Sequence, residues 1–129
     1  MANPTPSPTT VATSLTLTLP ADPQLLRIVR LVASGVASLG PLDLDAVEEV
    51  RVMADELVST LMEASDGGPV TMDLSINGER LRLEASASVR SGTLEVDPMT
   101  DRILDAVSTH HEWSTVEGEA HGIVERTLT

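Results

Sequence analysis

The chain of 129 residues has no cysteine, no lysine, no phenylalanine or tyrosine, and a single tryptophan, Trp113. Without Cys there are no disulfide staples, thiolate metal sites or cysteine nucleophiles. All eight basic residues are Arg, set against 20 acidic ones, giving a formal charge of -12. Phosphate neutralisation needs a basic patch and none is visible, so nucleic acid is not the expected partner. The shortage of aromatics removes the stacking platforms that single-stranded nucleic-acid binders use. No apolar run approaches the ~20 residues that span a bilayer. The N-terminus also lacks the basic start and apolar stretch of a secretory signal, so no membrane role is expected and the cytoplasm is the expected location.

What is present is enough apolar sequence, Leu, Val, Ile, Ala and Met, for one core, and the length suits one domain. Residues 1–13, MANPTPSPTTVAT, are rich in Pro, Ser and Thr and are expected to form a disordered tail before a single domain over 14–129. Leu15, Leu17 and Leu19 alternate with Thr16 and Thr18, the period of a half-buried strand. Asp22-Pro23 supplies a helix cap and first position. The stripe Leu25, Val29, Val32, Val36 and Leu39 follows, with Arg27, Arg30 and Ser34 facing away, and Gly40-Pro41 ends it with Gly as cap. Asp45 with Glu48 forms a capping box for a second helix. Its stripe runs through Val47, Val50, Ala54, Leu57 and Leu61 to about Ala64.

Alternation then returns at Val70, Met72, Leu74 and Ile76 and, after Asn77-Gly78, at Leu81, Leu83, Ala85 and Ala87. Asn-Gly between alternating runs favours a two-residue type I′ hairpin. That register sets Ile76 opposite Glu79, Leu74 opposite Leu81 and Asp73 opposite Arg82. Ser88 to Pro98 is a loop, and a short helix begins at Thr100 or Asp101 and runs to Val107. His110–Val116 and Ala120–Leu128 form a closing hairpin around Glu117-Gly118-Glu119. The order β-α-α-β-β-α-β-β predicts an α/β two-layer sandwich, a predominantly antiparallel mixed sheet with the helices on one face.

This order, with Asp55 to Ser65 (DELVSTLMEAS) in the second helix, resembles the small anti-sigma factors of the GHKL (Bergerat-fold) ATPase group, whose better-known members are serine-protein kinases. The resemblance runs from about Leu15 to Leu128 and is strongest in LDLDAVEEVRVMADELVSTLMEAS. It looks most like the actinobacterial branch that controls a stress-response or developmental sigma factor. The family's Glu-x-x-x-Asn box falls on Glu56 and Thr60. The resemblance makes Glu56 the catalytic base or water-orienting group and Thr60, in place of Asn, the ligand of a magnesium that bridges ATP phosphates. The family's next motif, Asp-x-Gly-x-Gly, falls on Ala85 to Gly92, which has no Asp and one Gly. The loop that covers the triphosphate is reduced to Thr93–Met99, so the nucleotide-binding motifs are degenerate.

Three readings follow. In the first, the chain is an anti-sigma factor that sequesters a sigma factor as a homodimer, is relieved by a protein antagonist, and has no cofactor or ATP turnover. In the second it is an ATP- and Mg-dependent serine kinase of such an antagonist, with Glu56 catalytic and Glu56 and Thr60 holding the nucleotide and metal. In the third it is a degenerate domain with another partner. Glu56 and Thr60, four apart on a helix, equally suit a solvated polar stripe. Arg27 and Arg30 are one turn apart and either solvated or partner-binding. His110, His111, Glu112 and His121 suggest a zinc site by residue type. Adjacent strand residues point to opposite faces, however, and a polar turn after a helix explains them too. Trp113 is a core residue or an interface anchor.

Overall fold

The computed structural model describes residues 13–90 and 92–128; the expected tail, except Thr13, lies outside them. Five strands, β1 (Thr13–Leu19), β2 (Val70–Ile76), β3 (Arg80–Ser88), β4 (His110–Val116) and β5 (Glu119–Thr127), form one sheet. Its order is β1-β2-β3-β5-β4 and every pairing is antiparallel. Helices α1 (Leu26–Ala37), α2 (Leu44–Ala64) and α3 (Pro98–Val107) pack on one face, completing the expected two-layer α/β sandwich in the expected order. No helix among the described residues is long and apolar enough to cross a membrane.

The core lies between α2 and the sheet. Met53, Leu57 and Leu61 on α2 meet Met72, Leu74, Leu81 and Leu83 on the strands, all fully buried. Each such side chain contributes roughly 1.5–3 kcal/mol by leaving water. Without Phe or Tyr, close approach replaces bulk. Gly122 on β5 lets Leu57 and Trp113 meet over it, and a Cβ there would sit 2.5 Å from Leu57 Cδ1 and 2.7 Å from Trp113 Cζ3.

Local signals placed the elements but missed several ends. Asp22 caps a 3-10 turn, Pro23–Leu25, that leads into α1. Gly40 is not a left-handed cap: α1 closes through Ser38, and Gly40 is instead pressed against Ile76, whose Cδ1 would be 2.7 Å from an added Cβ. Leu39 leaves the expected stripe and is 65% exposed. α2 is capped by Asp43, whose carboxylate accepts from Ala46 N at 2.8 Å, so the Asp45–Glu48 capping box does not form. Glu48 pairs with Arg51 instead. α3 starts at Pro98 under an Asp97 cap, earlier than expected.

The β2–β3 register also differs from expectation. Ile76 faces Leu81, Leu74 faces Leu83, Asp73 faces Glu84 and Arg82 faces Ser75. Asn77 bonds across to Arg80, and its side-chain oxygen accepts from Glu79 N and Arg80 N. The turn therefore sits on Gly78-Glu79, neither of which has positive φ. The shift amounts to two residues, the period of a strand, so the buried face is the one expected. The two-residue turn with both central residues at positive φ is in the other hairpin, at Glu117 (φ 51) and Gly118 (φ 78).

Candidate functional site

Glu56 and Thr60 lie one turn apart in the last half of α2, the helix that the alternation of Met53, Leu57 and Leu61 pins to the sheet. Their side chains open to different places. Thr60 is buried, and its hydroxyl donates 2.8 Å back to the Glu56 carbonyl, a local bond that turns it into its own helix. It borders a shallow cleft of about 270 Å³ that is also lined by Glu63, Ala64, Arg90, Thr93 and Glu95. Glu56 instead borders a groove of about 200 Å³ between α1 and α2, with Arg30, Glu48, Arg51, Val52 and Asp55. The structure thus places the two residues on one helix but not in one cavity.

The Glu56 carboxylate already has a partner. Thr100 Oγ1, near the start of α3, donates to Glu56 Oε2 at 3.1 Å. No local sequence signal pointed to Thr100, because the contact spans 44 residues. Arg90 was missed for the same reason. Its Nη2 donates to the Glu63 carbonyl at 2.9 Å and its own N–H reaches the Ala64 carbonyl. It therefore covers the negative end of the α2 dipole, whose last turn contains no basic residue.

The Thr60 cleft is consequently built from a helix C-terminus, two carboxylates (Glu63 and Glu95) and one Arg already engaged with carbonyls. Phosphate sites use the opposite polarity, helix N-termini and converging N–H groups. Small-molecule pockets usually run from about 300 to 1,000 Å³. The residues lining this cleft do not suit a triphosphate.

Arg27 is exposed, and Arg30 is tied by Nη1 to Asp55 Oδ1 at 2.8 Å. Arg27 therefore presents its charge to solvent with no ion-pair partner among the described residues, whereas Arg30 closes α1 onto α2. The histidines separate as strand alternation requires. His111 faces α3, with Nε2 3.0 Å from Asp101 Oδ1, while His121 pairs with Glu119 at 3.3 Å. Among the described residues no group of three or more His, Asp and Glu side chains is gathered to hold a metal ion. Trp113 packs against the core, and its Nε1 donates to Asp101 Oδ1 at 3.0 Å.

The all-antiparallel sheet with its helices on one face is the arrangement expected of a GHKL-like domain. Over 90 residues the chain is 28% identical to the serine-protein kinase RsbW of Listeria monocytogenes and 27% identical to that of Listeria innocua. The matched stretch covers 67% of this chain and 57% of each relative, so the chain spans little more than half the length of the curated proteins it matches. No protein-family model matches it. The chain is thus distantly similar to these serine-protein kinases.

Proposed function

We infer that this protein is an anti-sigma factor that sequesters an alternative, stress-response or developmental, sigma factor, is relieved by a competing protein antagonist, and works without ATP turnover. The kinship with serine-protein kinases supports the family half of this reading. One observation carries the other half. Both residues that match the nucleotide box are engaged within the chain, Thr60 with the Glu56 carbonyl and Glu56 with Thr100, and they open to different cavities. A scaffold kept for its surface has no need of a free carboxylate–hydroxyl pair. With a net charge of -12, that surface is suited to the basic segments of a partner.

The homodimer is assigned to α1. This helix carries Arg27 and Arg30 and no acidic residue. It exposes Ile28 and Leu31 on its outer side, with Leu39 and Leu44 exposed just beyond it. Gly35 lies between Leu31 and Leu39, four residues from each, and a Cβ there would touch nothing within 4 Å. A Gly within a helix costs up to about 0.5–1 kcal/mol relative to Ala, and at Gly35, in the last turn of α1, no contact among the described residues requires it. An antiparallel crossing of two α1 helices at Gly35 would set Leu31 of each copy against Leu39 of the other. It would also bring Arg27 toward the acidic Asp43 and Asp45 that follow the far end. A two-fold contact needs this self-complementarity.

The kinase alternative draws on the name of the relatives, and calorimetry separates the two. Titration with ATP and magnesium should give no binding heat, while the purified protein should retain a sigma factor on a column. Micromolar ATP binding, abolished by Glu56→Ala or Thr60→Val, would establish the kinase reading instead. Retention of other proteins but no sigma factor would point to a degenerate domain with a different partner.

A further inference from the structure

The sheet ends on two edge strands, β1 and β4. β4 pairs with β5 without interruption from His110 to Val116, so no bulge falls within it, and it contains neither Pro nor Lys. Natural sheets ordinarily blunt an edge with one of those devices. The tight turn at Glu117-Gly118 makes Val116 and Glu119 a hydrogen-bonded pair, and such pairs recur at every second residue. His110, Glu112, Ser114 and Val116 therefore turn their backbone groups to β5. The N–H and C=O groups of His111, Trp113 and Thr115 point out of the sheet. The far side of β5 keeps the same phase: Val89 N donates to the Gly118 carbonyl at 2.9 Å, so even-numbered residues serve β3 and odd-numbered ones serve β4.

The rim of this edge is acidic. Glu112 is exposed on the side of the sheet away from the helices, and Glu117 is exposed at the hairpin tip. Asp105 of α3, 74% exposed, lies on the helix side. Against them α3 and β4 carry one guanidinium, Arg102. Two side chains add apolar surface, Val116, which is exposed, and Trp113, which is half-buried. β1 offers an equal length of strand but not this charge, since the nearby Asp73 is taken by the Thr16 hydroxyl.

We propose that β4 is a docking edge, to which an extended, arginine- or lysine-bearing segment of a partner protein adds as a further strand. Main-chain pairing of this kind supplies affinity, and the alternating side chains supply specificity. The segment's backbone would take up the outward groups of His111, Trp113 and Thr115. Its basic side chains would lie beside Glu112, and the residues between them would lie beside Trp113 on the helix side. The inference rests on the anti-sigma reading only for the identity of the chain that carries the segment, and a peptide test leaves that identity aside.

The probe is the heptapeptide TRVRVRT, acetylated and amidated, which matches β4 in length. Trp113, the sole tryptophan, stands on the strand, so its emission should follow the titration to saturation. In the saturated complex the amides of His111, Trp113 and Thr115 should exchange roughly tenfold more slowly, while those of Glu112 and Ser114, already bonded to β5, should change little. Thr115→Pro deletes an outward N–H and no ladder bond, a position at which an edge strand accepts Pro, and should weaken binding roughly tenfold. If Thr115→Pro does not fold, the peptide decides the matter. Of two versions, one N-methylated on its Arg residues and one on its Val and Thr residues, one should bind and the other fail. Glu112→Gln should weaken binding by about twofold to fivefold, and TEVEVET should not bind. The docking edge would be overturned by a lack of saturable binding, by protection that ignores the alternation, or by equal binding of the two N-methylated peptides. A protein that binds the peptide but retains no sigma factor would overturn the anti-sigma reading and leave the edge in place.

Discussion

Thr100 Oγ1 donates to Glu56 Oε2 at 3.1 Å, which joins the short α3 to the middle of the long α2. The bond fixes both the position of α3 and the direction of the one carboxylate that the sequence singled out. Thr100 is buried while Glu56 is half-exposed, so the hydroxyl has no substitute partner but the carboxylate can still reach water. Thr100→Val keeps the shape and deletes the donor. It should cost about 1 kcal/mol, the net worth of a hydrogen bond whose acceptor can be rehydrated. Denaturant unfolding would register a lower midpoint with an unchanged slope. A loss above about 3 kcal/mol would mean that Glu56 becomes buried without a partner.

Three glycines give opposite expectations. At Gly122 a Cβ would collide with Leu57 Cδ1 at 2.5 Å and with the Trp113 ring, so Gly122→Ala overpacks the core and should cost about 1–3 kcal/mol. At Gly40 the one close collision is with the terminal methyl of Ile76 at 2.7 Å, against three at Gly122, and the loss should be smaller. Gly35 has open space around it, and Gly35→Ala should raise the stability of the isolated monomer by roughly 0.5–1 kcal/mol. If α1 is the dimer contact, the same change holds two helices apart and weakens self-association. Sedimentation equilibrium and thermal melts at low concentration, on one sample, would separate these effects. A variant both more stable and equally dimeric would remove the α1 assignment.

The fold was legible because periodicity survives small errors. The β2–β3 register is two residues away from the one the Asn77-Gly78 signal implied, yet Met72, Leu74, Leu81 and Leu83 are all buried. A slip of two conserves the face where a slip of one would invert it. Turn chemistry was less secure, since Asn77 uses its side chain to bridge Glu79 and Arg80 and the positive-φ pair went to Glu117-Gly118. The candidate site was legible only in part. Helical spacing put Glu56 and Thr60 on neighbouring turns, but it could not show that each is turned away by its own hydrogen bond. Thr100 and Arg90 reach α2 across 44 and 27 residues, and no local pattern encodes such meetings.

The start of α2 offers two aspartates within three residues, and only one caps. Asp43 is extended, with its carboxylate on Ala46 N, whereas Asp45 is already inside the first turn. Asp43→Ala should therefore lose about 1 kcal/mol, the usual worth of an N-cap. Asp45→Ala removes only a favourable charge near the helix N-terminus and should lose at most about 0.3–1 kcal/mol, less at high salt. Comparing both variants at low and high ionic strength tests the assignment. If the larger, salt-insensitive loss followed Asp45, the cap would be misplaced by two residues.

At the tip of the β4–β5 hairpin, Glu117 takes φ 51, the one non-glycine residue at positive φ among those described, with Gly118 following at φ 78. For a Glu side chain the left-handed region costs roughly 1–2 kcal/mol through the clash between Cβ and the backbone. Asn tolerates it, and Asn-Gly is the preferred pair for this turn. Glu117→Asn should thus stabilise the protein by roughly 0.5–1 kcal/mol, helped by removing a carboxylate from a chain of net charge -12. The melting temperature should rise by about 2–6 °C for a domain of this size. Glu117→Val, β-branched and worse suited to the region, should lower it. Melts of the three proteins should rank Asn above Glu above Val. The reverse order would mean that the turn does not hold this backbone conformation in solution.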